Sequence, residues 1–268
     1  MAVATKSEKS IYLASLLVEK PSEFVDRASA IAQVIFDNLR RWPAYAPQSE
    51  EMALIAFENL FGGGIRSSLQ EAALADIEAS VAEKSSQIVF DGPFYGNHNG
   101  DRLLACTCYA FARASRPRIA VETGVCYGVT SSYLLQALSE NGSGALHSID
   151  LPPLAKNEDE YVGWLIPNGL RERWTLHRGT SRRLLLPLLR ELGQIDLFVH
   201  DSLHTYRNMK LEFAAAWRAL RGGGVLISDD IEGNRAFLEL AQRDDVAVSV
   251  VVQGGNKKPL LGVAVKRE

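Results

Sequence analysis

The stretch Val121-Glu-Thr-Gly-Val-Cys-Tyr-Gly-Val-Thr130 decides the fold of this chain. It lies between a short apolar run at residues 118–122, which predicts a strand, and residues 131–140, whose pattern predicts a helix. A glycine at such a strand-to-helix turn lets the backbone approach a ligand closely. Because ligands of parallel α/β sheets bind at the carboxyl ends of the strands, the stretch predicts a βα unit with a ligand site at its turn.

The same alternation of apolar runs and helical patterns continues along the chain. Repeated βα units imply a parallel sheet with right-handed crossovers. The chain ends differently, because the loop between the apolar runs 246–252 and 260–265 is too short for a parallel crossover and suits a hairpin. We therefore expect an α/β protein with a Rossmann-like, mostly parallel seven-stranded sheet and an antiparallel last strand. The other expected strands are residues 145–150, 174–177, 195–200 and 224–228, and the other expected helices are residues 181–192, 206–220 and 234–243.

Residues 1–115 are predicted to be mostly helical and to form an N-terminal helical extension that precedes the sheet. We interpret them as a helical cap and oligomerisation region, and residues 116–268 as the ligand-binding domain. We expect this extension, the loop at 91–100 and the insert at 152–168 to roof a substrate pocket. Tyr161 and Trp164 of the insert suit a lid, and ordinary packing explains Trp164 equally well. The helices expected in the extension are residues 22–42, 50–61, 67–84 and 103–115.

The composition narrows the function classes. The 268 residues carry a net charge of −3 without a basic stripe, so we expect no nucleic-acid partner. No apolar run approaches the roughly 18 residues of a membrane span. The run at 11–18 fits an amphipathic helix better than a signal peptide, because no small-residue cleavage site follows it. Three cysteines form no disulfide framework, which indicates a reducing compartment, so we expect a cytoplasmic protein. We also expect a homo-oligomer that acts on a small molecule.

A nucleoside site is predicted where the first two strands end. The spacing Gly124-x-x-x-Gly128 departs from the Gly-x-Gly-x-x-Gly of dinucleotide sites, and Glu122 would repel a pyrophosphate while suiting a cationic ligand. Asp150 ends the second strand, where a carboxylate can accept hydrogen bonds from both ribose hydroxyls. The alternatives are a plain turn at the glycines and a helix-capping role for Asp150. Together these features favour an adenosine ligand.

The residues Glu122-Thr-Gly-Val-Cys-Tyr-Gly128, Asp150 and the terminal hairpin resemble the class I methyltransferases that use S-adenosylmethionine. The resemblance covers about residues 118–266. It implies that Glu122 and the loop from Gly124 through Tyr127 to Gly128 line the methionine part. It also implies that Asp150 binds the ribose and that Thr180 and Ser181 lie near the adenine. Many members carry an acid where this chain has Thr180.

Acidic residues follow two neighbouring predicted strands. Asp201 ends the fourth strand, and Asp229 and Asp230 end the fifth. Adjacent strand ends of a parallel sheet bring these carboxylates to one rim, where they would repel one another. A hard divalent cation such as Mg²⁺ removes that conflict and keeps positions open for a substrate. The alternative is that Asp229 and Asp230 cap the next helix while Asp201 binds the methionine amine.

Two histidines flank Asp201. If the helix begins at His204, its side chain can face the same mouth as Asp201, and a histidine of near-neutral pKa can take a proton from a hydroxyl. A structural histidine on an apolar helix face is the alternative. His200 precedes Asp201 on the strand and should point away from it, so we interpret His200 as structural. A zinc site made by His200 and His204 is a weaker alternative.

The pattern Asp201-x-x-His-x-Tyr206 followed by the pair Asp229-Asp230 resembles the metal-dependent O-methyltransferases of the macrocin and mycinamicin type, which modify antibiotic sugars. The same pattern occurs in proteins described as cephalosporin hydroxylases. The resemblance implies that Asp201, Asp229 and Asp230 are metal ligands and that His204 is the base. It predicts an S-adenosylmethionine-dependent, Mg²⁺-dependent O-methyltransferase of natural-product biosynthesis.

Two other function classes compete with this hypothesis. A nicotinamide-dependent Rossmann oxidoreductase would share the fold, but the Gly-x-Gly-x-x-Gly motif is missing. A non-catalytic protein that binds S-adenosylmethionine would share the nucleoside site, but it would have no need of Asp201, His204, Asp229 and Asp230.

Overall fold

The fold is known from a computed structural model that describes residues 6–88, 100–154, 158–253 and 259–268. In these residues, seven strands form one sheet in the order β3-β2-β1-β4-β5-β7-β6. Strands β1 to β5 are parallel, whereas β7 runs antiparallel to both of its neighbours. This arrangement confirms the predicted fold class, including the antiparallel last strand. The strands are β1 (Ile119–Thr123), β2 (Ala145–Asp150), β3 (Trp174–Arg178), β4 (Ile195–His200), β5 (Leu220–Ser228), β6 (Val246–Gln253) and β7 (Leu260–Lys266).

Helices flank the sheet, and several begin at a capping side chain that the sequence supplies. The Asp101 carboxylate accepts from the amide of Leu104 at 2.8 Å, which satisfies a donor of the first helical turn. None of the described helices is long and apolar enough to cross a membrane. The α-helices are α1 (Lys6–Glu19), α2 (Pro21–Asn38), α3 (Glu50–Phe61), α4 (Gly64–Ser68), α5 (Ala72–Ser85), α6 (Arg102–Ser115), α7 (Val129–Glu140), α8 (Glu158–Tyr161), α9 (Ser181–Leu192), α10 (Tyr206–Ala219) and α11 (Ala236–Ala241).

One predicted helix is wrong. Residues 67–84 were expected to form a single helix, but the chain breaks between α4 and α5. The Glu71 carboxylate accepts from Tyr109 at 2.5 Å and from Arg113 at 2.7 Å, both on α6. These tertiary bonds hold residue 71 in an extended conformation before α5, and periodicity alone carries no sign of them.

The core has two hydrophobic clusters, one on each face of the sheet. Successive residues of β4 alternate between them, with Leu197 and Val199 in the cluster that includes α3 to α7 and Phe198 in the cluster that includes α9 to α11. This is the period of two that a strand imposes on its side chains. Neither cluster includes any described residue of α1 or α2.

The segment between α2 and α3 meets one edge of the sheet. Gln48 forms an isolated bridge with Val252 of the edge strand β6, and its amide donates to the carbonyl of Val251 at 2.7 Å. The chain thus returns from α2 along this edge before it enters α3.

Packing of β7 against α11 gives a test of the fold. A Cβ atom on Gly262 would lie 2.7 Å from ring carbons of Phe237. Gly262→Ala should therefore lower the free energy of unfolding by about 1–3 kcal/mol, as overpacking of a core does. Urea unfolding measures the change.

Two further variants control this experiment. Gly169→Ala adds a Cβ with no atom within 4 Å and should change stability by less than about 0.5 kcal/mol. Phe237→Leu combined with Gly262→Ala should cost less than the two single changes added together, because the smaller side chain removes the clash. Strict additivity would show that the ring does not limit residue 262.

Candidate active site

The turn after β1 is fixed by a close backbone approach. Gly124 has a φ of +88°, and a Cβ on it would overlap the backbone carbonyl of Asp201. Its amide donates to Ile149 at 2.9 Å, while the amide of Asp201 donates to Thr123 at 2.8 Å. Only glycine fits this position, and the ends of β1, β2 and β4 meet there.

Asp150 joins this turn to the end of β2. Its Oδ2 accepts from the amide of Cys126 at 3.2 Å, and its carbonyl accepts from Gly179 at 2.8 Å. Burial raises the pKa of Asp150 to about 6. The carboxylate thus shapes the turn after β1 and also lines the cleft above it.

The cleft has a volume of about 830 Å³ and lies between the carboxyl ends of the strands and the helix α2. Most of the residues that the sequence nominated line it together. They are Gly124, Asp150, Thr180, Ser181, Asp201, His204, Asp229 and Asp230.

Glu122 is placed differently from the other nominated residues. Its side chain is fully buried under the turn and accepts from Ser131 at 2.6 Å and from Ser148 at 2.8 Å, and it is not among the residues that line the cleft. Burial raises the pKa of Glu122 to about 7. The contact of Glu122 with a donor therefore stays a prediction.

Tyr127 and Gly128 also lie outside the described cleft lining. Tyr127 is buried, with its ring edge-on to Tyr161 at a centroid distance of 6.3 Å. A Cβ on Gly128 would lie 2.8 Å from Gly163, so this glycine permits close packing of the insert. Trp164 packs against the same core cluster as Tyr161, which favours the packing alternative for Trp164. Residues 91–99 lie outside the described residues.

The three aspartates gather at one rim of the cleft and repel one another. Burial and then the charge of Asp229 raise the pKa of Asp201 well above its usual value. Burial and then the charge of Asp230 raise the pKa of Asp229 to about 8, and the pKa of Asp230 is raised as well, first by burial. Asp230 makes no side-chain capping bond to the turn that follows it, which argues against the helix-capping alternative. The rim is therefore a place that favours a positive charge.

No group of three or more His, Cys, Asp or Glu side chains in the described residues is already arranged as a set of metal ligands. His204 Nε2 lies 3.7 Å from Asp201 Oδ1 and 3.8 Å from Asp230 Oδ2, which is too far for hydrogen bonds. The chemistry of the three carboxylates fits a hard cation, and their side chains would have to converge on it.

The pKa of His204 differs from the near-neutral value that the sequence suggested. Burial, followed by the neighbouring charge of His200, lowers the pKa of His204 to about 3. The two rings meet edge to face at 5.2 Å. His204 is therefore unprotonated at physiological pH, but its low pKa makes it a weak proton acceptor in the ligand-free cleft.

A buried acid supports the segment that carries Asp201 and His204. Glu212 of α10 lies 2.6 Å from His200 Nδ1, and it accepts from Thr123 at 2.6 Å and from Ser202 at 2.8 Å. Burial alone would raise the pKa of Glu212, but the His200 charge and these hydrogen bonds lower it to about 2. The residue was missed in the sequence, where its only sign is a single acid among apolar neighbours of α10.

The helix α2 supplies the other wall of the cleft, which the sequence predicted only as part of a general roof. Its polar side chains bond to residues at the carboxyl ends of β2 and β3 and to the segment that follows β4. Glu23 pairs with Arg178 at 3.1 Å, and Arg27 donates to the carbonyl of Pro152 at 2.7 Å. These bonds place α2 across the ends of β2 and β3.

Further along α2, Asp26 accepts from Thr180 at 3.0 Å, so the residue expected near adenine is bonded to this helix. Gln33 accepts from Thr205 at 2.9 Å, and Asp37 accepts from the amide of Tyr206 at 2.6 Å. The missed signal is the helical spacing of these polar residues, which puts them on one side of α2.

The chain is similar to known methyltransferases. Residues 121–231 match a family described as "Methyltransferase domain". No curated protein matches the chain. The family match covers less than half of the chain, and it confirms the prediction that the protein is an enzyme.

Solved structures with the same fold are distant in sequence. The O-methyltransferase TomG from Streptomyces achromogenes, involved in tomaymycin synthesis and solved with SAM, is 18% identical with a TM-score of 0.55, covering 81% of this chain and 96% of TomG. An O-methyltransferase from Bacillus cereus, solved with SAH, is 16% identical with a TM-score of 0.52, covering 73% and 91%. The SAH-bound methyltransferase PaMTH1 from Podospora anserina is 11% identical with a TM-score of 0.53, covering 84% and 100%.

The pair of His200 and Glu212 can be tested through stability. Both side chains are fully buried, so Glu212→Gln leaves a buried histidine without its charged partner. We expect it to lower the free energy of unfolding by about 3–5 kcal/mol at pH 7. Chemical unfolding measures the loss, and Glu191→Gln, at an exposed position of α9, should have no comparable effect.

The difference in the free energy of unfolding between the wild type and Glu212→Gln should depend on pH in one direction. Because the pKa of Glu212 falls from an ordinary 4.5 to about 2 on folding, its stabilisation is complete above pH 4.5 and is lost as the pH falls through 2. The gap between the wild type and Glu212→Gln should close over that range. A gap that stays constant down to pH 2 would contradict the lowered pKa.

Proposed function

We propose that this protein is an S-adenosylmethionine-dependent O-methyltransferase that modifies a hydroxyl of a small natural product with the help of a divalent cation, Mg²⁺. The observation that carries the proposal is that one cleft is lined both by Asp150, the expected ribose ligand, and by the acidic rim with His204. The methyltransferase match over residues 121–231 supports methyl transfer. The solved neighbours that bind SAM or SAH support the donor, and those named O-methyltransferases support a hydroxyl acceptor.

The donor end of the cleft is the side near Asp150. The Asp150 carboxylate would accept from the ribose hydroxyls, and the glycine turn at Gly124 would allow the donor to approach the backbone; the position of both residues in the cleft lining supports these roles. S-adenosylmethionine supplies a methyl group that is already activated. The work of the chain is therefore to align the donor and the acceptor, since orientation alone can contribute several orders of magnitude in rate.

The acidic rim is the end at which we place the cation and the acceptor hydroxyl. Asp201, Asp229 and Asp230 would hold Mg²⁺, and the raised pKa values of these clustered carboxylates support a cation as their partner. A bound divalent cation would lower the pKa of a hydroxyl and stabilise negative charge on its oxygen. His204, which is neutral at physiological pH, would accept the hydroxyl proton at Nε2.

A second cavity, of about 520 Å³, fits the apolar part of an acceptor. It is lined mainly by apolar side chains of α3 to α6, including Phe57 and Leu103, and Asp101 lies at its edge. The charge of Asp101 acts on both Asp229 and Asp230, so this cavity lies near the acidic rim. A hydroxyl at the rim with an apolar skeleton in the cavity is the acceptor geometry that we propose. The three free cysteines support a reducing, cytoplasmic setting.

Donor binding is the first test. S-adenosylmethionine should raise the melting temperature by mass action, and NADH should not. Asp150→Ala should weaken the response, whereas Asp244→Ala, at an exposed position before β6, should leave it unchanged. Thermal shift and calorimetric titration measure both. Stabilisation by NADH alone would instead support the oxidoreductase.

Removal of charge from the rim tests the metal. Because folding raises the pKa of Asp229 to about 8, its charge destabilises the folded state as the pH rises above the ordinary value of 3.8. Asp229→Asn should therefore raise the melting temperature of the ligand-free protein at pH 8, yet lose the stabilisation that Mg²⁺ gives the wild type.

Activity provides the second half of this test. EDTA should abolish turnover of an accepted substrate, and Mg²⁺ should restore it. Full activity after exhaustive chelation would remove the metal role from Asp201, Asp229 and Asp230.

The base is tested by replacement of His204. His204→Ala should preserve donor binding and cut turnover by about 10²- to 10⁴-fold, the usual effect of losing a general base. Because the pKa of His204 is lowered to about 3, the imidazole should already be unprotonated at pH 6, and its contribution should stay constant from pH 6 to 8. A modest loss of rate would show a structural histidine, and a neutral-pH titration that vanishes in the variant would contradict the lowered pKa.

A further inference from the structure

The helix α2 has an unusual orientation, with its acids inside and its apolar side chains outside. Glu23 and Asp26 are buried, at 9% and 7% exposure. On the opposite side, an outer face formed by Val25, Ile31, Ile35, Phe36 and Leu39 is between 53% and 79% exposed. At about 100° per residue, the two sets fall on opposite sides of the helix. A surface helix of a monomeric protein would instead bury its apolar side and expose its acids to water.

Nothing in the described chain covers this outer face. The two hydrophobic clusters include no described residue of α1 or α2. What attaches α2 to the body is the set of polar bonds along its inner side, such as Glu23 to Arg178 and Asp37 to Tyr206. Exposed ion pairs contribute little to stability, and the cost of removing water from buried ones offsets most of their attraction, so these bonds alone hold the helix weakly.

The apolar, uncharged character of the outer face favours a second copy of the chain as its partner. The exposed positions 31, 32, 35 and 36 on this side are all apolar, and Leu17 and Val18 of α1 are also exposed apolar residues. An uncharged face is self-complementary and suits a twofold contact. A membrane surface would instead select lysines and arginines along the polar side of the helix, whereas that side of α2 carries Glu23, Asp26 and Asp37, and Arg40 and Arg41 lie beyond its end.

The size of the face agrees with such a contact. A fully buried Val, Leu, Ile or Phe side chain removes roughly 60–120 Å² from water. The outer face with Leu17 and Val18 therefore covers several hundred Å² per protomer, so a twofold contact reaches on the order of 1,000 Å² in total, the lower limit of specific interfaces.

We propose that two copies of this chain associate through the outer face of α2, and that this contact holds α2 in place as the wall of the cleft. The inner side of the same helix, with Asp26, Gln33 and Asp37, lines the cleft. Dimerisation and binding in the cleft then stabilise one position of α2, so each favours the other by thermodynamic linkage. The coupling to the donor rests on the proposed function, whereas the dimer does not.

Sedimentation velocity without any ligand tests the dimer. The wild type should sediment at twice the chain mass of 29.4 kDa, and the double variant Ile35→Glu/Phe36→Glu should sediment as a monomer. Leu186→Glu, on the exposed side of α9, is the matched control and should remain dimeric. Ile35→Ser/Phe36→Ser gives a milder version, and circular dichroism confirms the fold of each variant. A monomeric wild type at tens of micromolar, or a double variant that stays dimeric, overturns the proposal.

Two measurements on the monomeric variant test the coupling. Amide hydrogen exchange should be faster along α2 than in the wild type and unchanged in β4, and equal protection of α2 would show that its docking needs no partner. S-adenosylhomocysteine should bind the variant about tenfold more weakly, within the usual 5- to 150-fold range of coupled sites, and equal affinity would overturn the coupling. If the wild type binds no S-adenosylhomocysteine, the proposed function is wrong, while the sedimentation and exchange results still decide the dimer.

Discussion

The close approach of Gly124 to the carbonyl of Asp201 is the constraint on which the site depends. It leaves no room for a side chain after β1, and it brings the segment that carries Asp201 and His204 against the turn that Asp150 shapes. The buried Glu212 then ties the same segment to α10 through His200 and Ser202. The two halves of the cleft are therefore built on one rigid junction of β1, β2 and β4, which suits an enzyme whose main work is alignment.

The junction also concentrates negative charge where the fold does not neutralise it. Charged partners meet Glu23, Asp26 and Glu212, but the charges nearest to Asp201 and Asp229 are other carboxylates. A sequence selected for stability alone would not keep this arrangement, because each of these buried charges opposes folding at neutral pH. Such strain at a strand-end rim marks a site that is completed by something from outside the chain.

Features that repeat along the chain could be predicted from the sequence. The period-two and 3.6-residue patterns gave the strand and helix order, and the boundaries of β2, β4, α3 and α9 match residue for residue. Strand ends could also be predicted as sites, so Asp150, Asp201 and the pair at 229–230 were found together. The pKa of His204, the support from Glu212 and the inward polar side of α2 could not, because each arises from burial by parts of the chain distant in sequence.

The bridge from Gln48 to Val252 bears on how the protein associates with other molecules in concentrated solution. β6 is an edge strand, and its sequence Val-Ala-Val-Ser-Val-Val-Val-Gln holds no charge and no proline. A bare edge of this kind is a template for pairing with strands of other molecules, the first step of aggregation. The segment that returns from α2 occupies part of this edge, so loosening that segment would expose an aggregation-prone strand.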